Sequence, residues 1–239
     1  MKKIISVFCL FYFFASVVSL YADVKIFAIE IPGLHQKDGK GVYDQILQET
    51  VIKNNLATIK LYPPARAESM FSKCKNCCFS PANKNPEFYD YGDDIVQTDP
   101  MNIAKIYIFV KKGQAPINRL EDLKGKKIGV RTGMPYGKSF DNAKLKTQAV
   151  PKLELNIKKV QIGRIDAFVA YIPDAYNAFR GLGIEPLPHD VAKPVAVHPD
   201  SLVCRNVQPE FIDKFNELLK ELRDSGRLKS ILGDDYIPE

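Results

Sequence analysis

Beyond its first twenty residues, this 239-residue chain has no apolar run approaching the roughly 18 residues that a membrane helix needs, so multiple membrane spans are excluded. Histidine is scarce. His35, His189 and His198 stand apart from one another and from any further metal ligand at zinc-site spacing, so they read as loop residues and no metal is expected. There is no Gly-x-Ser-x-Gly elbow, no His-Glu-x-x-His helix and no Gly-x-x-x-x-Gly-Lys loop, which leaves hydrolytic and nucleotide-dependent chemistry without a local motif. Repeats and low-complexity segments are also missing, which excludes solenoids and long disordered tails. The formal charge is only +6, and Lys2 and Lys3 supply two of those charges. The other lysines, such as Lys53, Lys111, Lys126 and Lys158, are scattered without aromatic interleaving. That pattern argues against a nucleic-acid partner and leaves a modest bias toward small anions.

What is present begins with Lys2 and Lys3, a charge-free apolar stretch over 4–20, and Tyr21-Ala22-Asp23. This is the pattern of a secretory signal peptide over residues 1–22, cleaved after Ala22. Cys9 lies inside the apolar stretch behind Phe8, so it is no lipid-anchor cysteine. The exported remainder is long enough to bury a sizeable core in one large domain or two small lobes.

Strands and helices alternate along that remainder. Strands are expected at 24–29, 57–61, 77–80, 127–130 and 165–170, with a weaker one near 150–155. Residues 105–110 alternate apolar and polar side chains ahead of the Lys111-Lys112-Gly113 turn. Tyr43, Ile46, Leu47, Thr50 and Val51 fall at the spacing of one buried helix face, and 66–71 reads as a short helix. Pro209 opens a long amphipathic helix through Phe211, Phe215, Leu218, Leu219 and Leu222, and Gly226 ends it. Such alternation predicts an α/β sheet architecture.

Leu120-Glu121-Asp122-Leu123-Lys124-Gly125-Lys126-Lys127-Ile128-Gly129-Val130, followed by Arg131-Thr132-Gly133, is the most telling stretch. With Gly163-Arg164-Ile165-Asp166-Ala167 and the Gly226 to Tyr236 ending, it resembles the family 3 extracellular solute-binding proteins, whose fold is the type II periplasmic-binding fold. The resemblance spans nearly all of the exported chain. It implies a two-lobed α/β protein whose lobes are joined by two crossover segments: lobe one from 23–108 and 195–239, lobe two from 109–194. It further implies a monomer that needs no cofactor, performs no catalysis, captures a small polar ligand between its lobes in the periplasm, and passes it to an inner-membrane permease of the ABC class.

Ligands in this architecture sit at the carboxyl ends of strands. The candidates are Glu30, Arg66, Ser80 and Asn83 from lobe one, with Arg131, Thr132, Gly133, Tyr136 and Tyr171 from lobe two. Gly133 is expected to open a helix whose free N–H groups, beside the Arg131 fork, would hold an anionic group. Amino-acid binders of the family carry an Arg and an Asp where this chain has Phe88 and Tyr171, with Asp174 nearby as a partial substitute. Loss of those anchors implies weak binding of ordinary amino acids and a flatter ligand between aromatic walls. The alternatives are a dehydratase-like enzyme using Glu30 or Glu87 as a general acid, and a binding-fold protein with an interaction role outside transport.

Four cysteines remain after export: Cys74, Cys77, Cys78 and Cys204. An even count in an oxidising compartment favours structural disulfides, with three fully paired connectivities open. All four fall in lobe one. Adjacent Cys77 and Cys78 point to opposite strand faces, so one could pair locally with Cys74 while the other reaches Cys204. No thioredoxin-like unit surrounds Cys74-Lys75-Asn76-Cys77, and Cys78 stands where haem attachment would need His.

Overall fold

The computed structural model describes residues 24–233, so the signal-peptide reading and Tyr236 lie outside the described residues. The chain opens with strand β1 (Val24–Ile29), a nearly continuous apolar run buried on both faces. Helix α1 (Val42–Leu47) continues into a π-helical turn, Gln48–Ile52, where the Thr50 hydroxyl donates to the Ile46 carbonyl at 2.7 Å. The five residues expected on the buried face, Tyr43 through Val51, are all buried. Strand β2 (Ala57–Tyr62), helix α2 (Pro64–Ser72), β3 (Cys77–Ala82) and β4 (Ile95–Gln97) follow.

Next come β5 (Asn102–Val110), a 3-10 turn at Leu120–Leu123, β6 (Lys127–Arg131), α3 (Lys138–Asn142), β7 (Lys146–Val150), α4 (Leu153–Gln161), β8 (Ala167–Ile172) and α5 (Asp174–Leu182). The chain returns through β9 (Ala196–Arg205), α6 (Pro209–Asp224) and α7 (Arg227–Leu232). Helix α6 buries Phe211, Phe215, Leu219 and Leu222 on one stripe. Each such side chain contributes about 1.5–3 kcal/mol on leaving water.

The strands form one path, β2-β1-β3-β9-β5-β8-β6-β7, with β4 also paired to β9. Parallel pairs occupy the flanks, while β3, β9, β5 and β8 pair antiparallel in the centre. Strand β9 pairs with β3 through 201–205 and with β5 through 196–200, so β5 and β9 together join two halves of the molecule. The expected lobe limits at 108/109 and 194/195 fall within β5 and just ahead of β9. One apolar cluster fills the first half, from Val24 to Met101 and Leu202 to Leu232. Two smaller clusters flank the sheet in the second half.

Three expectations are corrected. Residues 106–110 do not alternate with solvent: Ile106, Ile108 and Val110 enter one cluster and Tyr107 and Phe109 the other, so both faces are covered. The strand near 150–155 is the end of β7 and the start of α4. Pro151 interrupts the ladder, and Leu153, Ile157 and Val160 are buried at helical spacing. Finally, the helix after Gly133 starts only at Lys138, behind Gly137. Gly133 sits instead in a turn at φ +76°, where an added Cβ would lie 2.9 Å from the Ala65 backbone nitrogen.

Candidate functional site: a cleft between the two halves

A cavity of about 350 Å³ opens at the carboxyl ends of β1, β2, β6 and β7. Glu30, Pro63 and Pro64 wall it from the first half; Arg131, Lys152, Glu154 and Asp174 face it from the second. The wall therefore carries three carboxylates and two cations. The halves touch directly across it. The Arg131 guanidinium donates to the Glu30 carbonyl at 2.7 Å, and the Asn177 amide donates to the Pro32 carbonyl at 3.1 Å. Arg131 Nε is buried without a hydrogen-bond partner among the described residues, and leaving such a donor unsatisfied costs about 1–3 kcal/mol.

Among the expected ligand residues, only Glu30 and Arg131 line this cavity. Arg66 is exposed and lies over the Tyr62 ring, 5.0 Å from its centroid. Asn83 is buried, its amide donating to the Pro199 carbonyl at 3.3 Å. Thr132 is exposed, with its N–H on the Val150 carbonyl. The buried Tyr136 hydroxyl accepts the Arg131 backbone N–H at 2.9 Å, and burial raises its pKa above the usual phenol value. The anion site expected where Gly133 opens a helix does not form, because α3 starts later and Glu87 already covers its end. The Glu87 carboxylate accepts Ser139 N–H at 2.6 Å, and its carbonyl accepts Lys138 N–H at 2.7 Å.

Ser80 is fully buried within β3, where its hydroxyl meets His35 Nε2 at 2.9 Å. His35 Nδ1 in turn meets the Asp44 carboxylate at 2.7 Å, and that carboxylate also accepts the Gln36 and Gly41 backbone N–H groups. A second chain lies beside the central strands: Tyr43 donates to Asp200, Asp200 holds His198 Nδ1 at 2.7 Å, and His198 Nε2 meets the Tyr89 hydroxyl at 3.1 Å. His35, in the loop between β1 and α1, and His198, which lies within β9 and not in a loop, are thus both buried polar links, because each ring nitrogen finds a partner inside. Burial raises the Tyr43 and Tyr89 pKa values, and the Asp200 charge adds to it.

Positions 88 and 171 converge around the same imidazole. The Phe88 and Tyr171 rings stand edge-on to His198 at 4.8 and 5.6 Å, and Tyr171 donates its hydroxyl to the Pro135 carbonyl. The expected aromatic walls are therefore packed against the chain's own histidine and do not face the larger cavity. Lys152 and Glu154 were hidden behind the strand reading of 150–155; the helical spacing of Leu153, Ile157 and Val160 is the signal that finds them. Among the described residues no cluster of His, Cys, Asp and Glu side chains converges to hold a metal, and no helix is long and apolar enough to cross a membrane.

Two mixed halves, antiparallel strands between them and a cleft at the strand ends define the architecture. This is the type II periplasmic-binding fold. The GluR0 ligand-binding core from Nostoc punctiforme, solved with L-glutamate, superposes at a TM-score of 0.73 with 16% identity, covering 90% of this chain and 100% of that one. The ancestral amino-acid-binding protein AncCDT-1, a precursor of cyclohexadienyl dehydratase, superposes at 0.65 with 21% identity over 90% of this chain and 96% of its own. In sequence the chain is similar to the probable amino-acid-binding protein YxeM of Bacillus subtilis, 27% identical over 155 residues, 59% of this chain. The match spans about half the length of that relative, 55%. No protein-family model matches the chain. The fold expected from the resemblance thus holds, and the two halves are the two lobes of that fold.

Proposed function

We propose that the chain is an exported solute-binding protein that captures a small amphoteric solute of the amino-acid class in the cleft and presents it to an inner-membrane permease of the ABC class. The observation that carries this reading is Arg131: one guanidinium nitrogen bridges to Glu30 across the cleft, while Nε remains buried and unpartnered beside the cavity. A ligand carboxylate on Nε would supply the missing acceptor as a charge-assisted bond. The Asp174 and Glu154 carboxylates, which line the same cavity, give an ammonium group its counter-charge. Both ends of a zwitterion thereby find partners despite Phe88 and Tyr171, and the excess of carboxylates disfavours a simple dianion. The amino-acid role in the name of the Bacillus subtilis relative supports the same ligand class. Binding a solute that contacts both lobes would stabilise the closed form through its differential affinity.

The test is calorimetric titration of the exported protein, residues 23–239, with a panel of free amino acids and simple carboxylic acids. At least one amino acid should bind, and Arg131→Ala should weaken it by about 1.5–3 kcal/mol without lowering the melting temperature. Unchanged affinity in that variant would remove Arg131 from the site. Binding of simple acids but of no amino acid would return the ligand to the anionic class.

A further inference from the structure

Lysines that look scattered along the sequence are gathered by the fold at one end of the second lobe. Strands β6 and β7 run parallel in a register that sets Lys127 beside Lys146, so both side chains leave the same face of the sheet. Gly129, two residues along β6, marks that face as the one under α4, because a Cβ there would lie 2.6 Å from the Asn156 side chain of that helix. Lys159, near the end of α4, agrees with this placement: its ammonium group reaches Gln148 of β7 at 3.5 Å. Helix α4 runs back from the cleft, which Lys152 and Glu154 line, so its carboxyl end and the starts of β6 and β7 lie at the opposite end of the strands from the cleft.

The helix turns Leu153, Asn156, Ile157 and Val160 inward. Leu155, Lys158, Lys159 and Ile162 follow one another at i, i+3, i+4 and i+7, the spacing of a single outward stripe. Leu155 is 42% and Ile162 64% exposed, large apolar side chains left in water on either side of two lysines. Arg164 is exposed just beyond, and neither it nor Lys127, Lys146, Lys158 or Lys159 forms an ion pair among the described residues. The Asp166 carboxylate beside them accepts the Lys127 backbone N–H at 2.6 Å. A soluble anion would neutralise these cations and leave Leu155 and Ile162 in water. A bilayer surface takes both, since headgroup phosphates meet the cations while the apolar tips and lysine stems enter the acyl boundary. We propose that this stripe of α4, with the adjoining starts of β6 and β7, docks the protein on an anionic phospholipid surface. Docking and solute capture would then use separate residues, and the proposal does not depend on which solute the cleft takes.

The exported protein should be tested by flotation with vesicles of mixed phosphatidylglycerol and phosphatidylcholine, and with vesicles of phosphatidylcholine alone. It should bind the first and not the second, and added salt should release it. A lysine near an anionic membrane strengthens binding about fivefold, so Lys146→Gln combined with Lys158→Gln, both at exposed positions, should weaken it about tenfold or more. Ile162→Ser should weaken it about threefold at unchanged charge. Lys53→Gln combined with Lys60→Gln, which removes two exposed lysines from the first lobe, should leave binding unchanged, as should Arg131→Ala in the cleft. No binding to the anionic vesicles, equal binding to both kinds, or equal losses in the two lysine pairs would each overturn the proposal. Full binding by Ile162→Ser, with soluble polyglutamate competing as well as vesicles, would make the face a dock for an acidic protein and overturn it too.

Discussion

The two lobes solve the same packing problem in different ways. The first surrounds its sheet with a single continuous cluster fed by α1, α2, α6 and α7, and crosslinks it twice, Cys74 to Cys77 and Cys78 to Cys204. The second has neither a cysteine nor a continuous cluster. Its strands β5 and β8 send alternate residues to opposite faces, Phe109 and Phe168 to one and Ile108 and Val169 to the other, and two separate clusters result. Cys78 and Cys204 face each other across β3 and β9, so their bond closes the chain where it has just returned from the second lobe. The first lobe is thus a pinned base and the second an excursion from it, held by the shared β5–β9 ladder, by apolar packing and by hydrogen bonds across the cleft, with no crosslink of its own. Such an arrangement fits the ligand-driven closure proposed above.

The largest test of that contrast removes the pins one at a time. In the chain-entropy view, a crosslink over a separation of 126 residues is worth about 5 kcal/mol, and one over a separation of 3 less than about 2. Replacing Cys78 and Cys204 together by Ala should therefore lower the urea midpoint far more than replacing Cys74 and Cys77. Equal losses would mean that local geometry, not chain closure, sets their value. Phe215→Ala and Phe109→Ala, each at a fully buried ring, should cost about 3–5 kcal/mol. Hydrogen exchange should show the loss of protection confined to the lobe that carries the change. Loss throughout the protein in both variants would make the lobes one cooperative unit and end the comparison.

A smaller effect concerns pH. Glu49 accepts both Arg227 Nε and Nη2, tying the π turn after α1 to α7, and this hydrogen bond holds the carboxyl pKa below its usual value. A carboxyl depressed in the folded state contributes stability above its unfolded pKa and loses it as pH falls through the folded one. The pair is partly exposed, so the term should be at most about 1 kcal/mol. Glu49→Gln should remove that increment near neutrality and narrow the difference from wild type below the carboxylate range, as followed by urea unfolding at several pH values.

Much of this fold is legible in the sequence because local and tertiary preferences agree. The apolar run from Val24 stops at Glu30 just where β1 ends, and Pro209 and Gly226 bracket the long final helix. Where the chain is misread, tertiary contact decides. Gly133 looks like the start of a helix, but its freedom is needed for close passage against Ala65, a residue distant in sequence. Ser80 ends the expected strand, but the strand runs on to Ala82 and the hydroxyl turns inward to His35, a partner 45 residues away. Helix α4 has no side-chain cap, so nothing marks its start except the spacing that follows. Arg131 was readable as a cleft residue from its place after a strand; its buried, unmatched Nε was not.

The Cys78–Cys204 bond also decides how the protein would come apart. Residues 111–116, after β5, are exposed in an unbroken row that includes Lys111 and Lys112, the kind of loop tip at which proteases nick folded proteins. A cut there divides the chain into one piece carrying Cys78 and another carrying Cys204. The nicked protein should therefore run as a single species on a denaturing gel without reductant and separate into two fragments once thiol is added, making the gel a direct readout of the bond that pins the base.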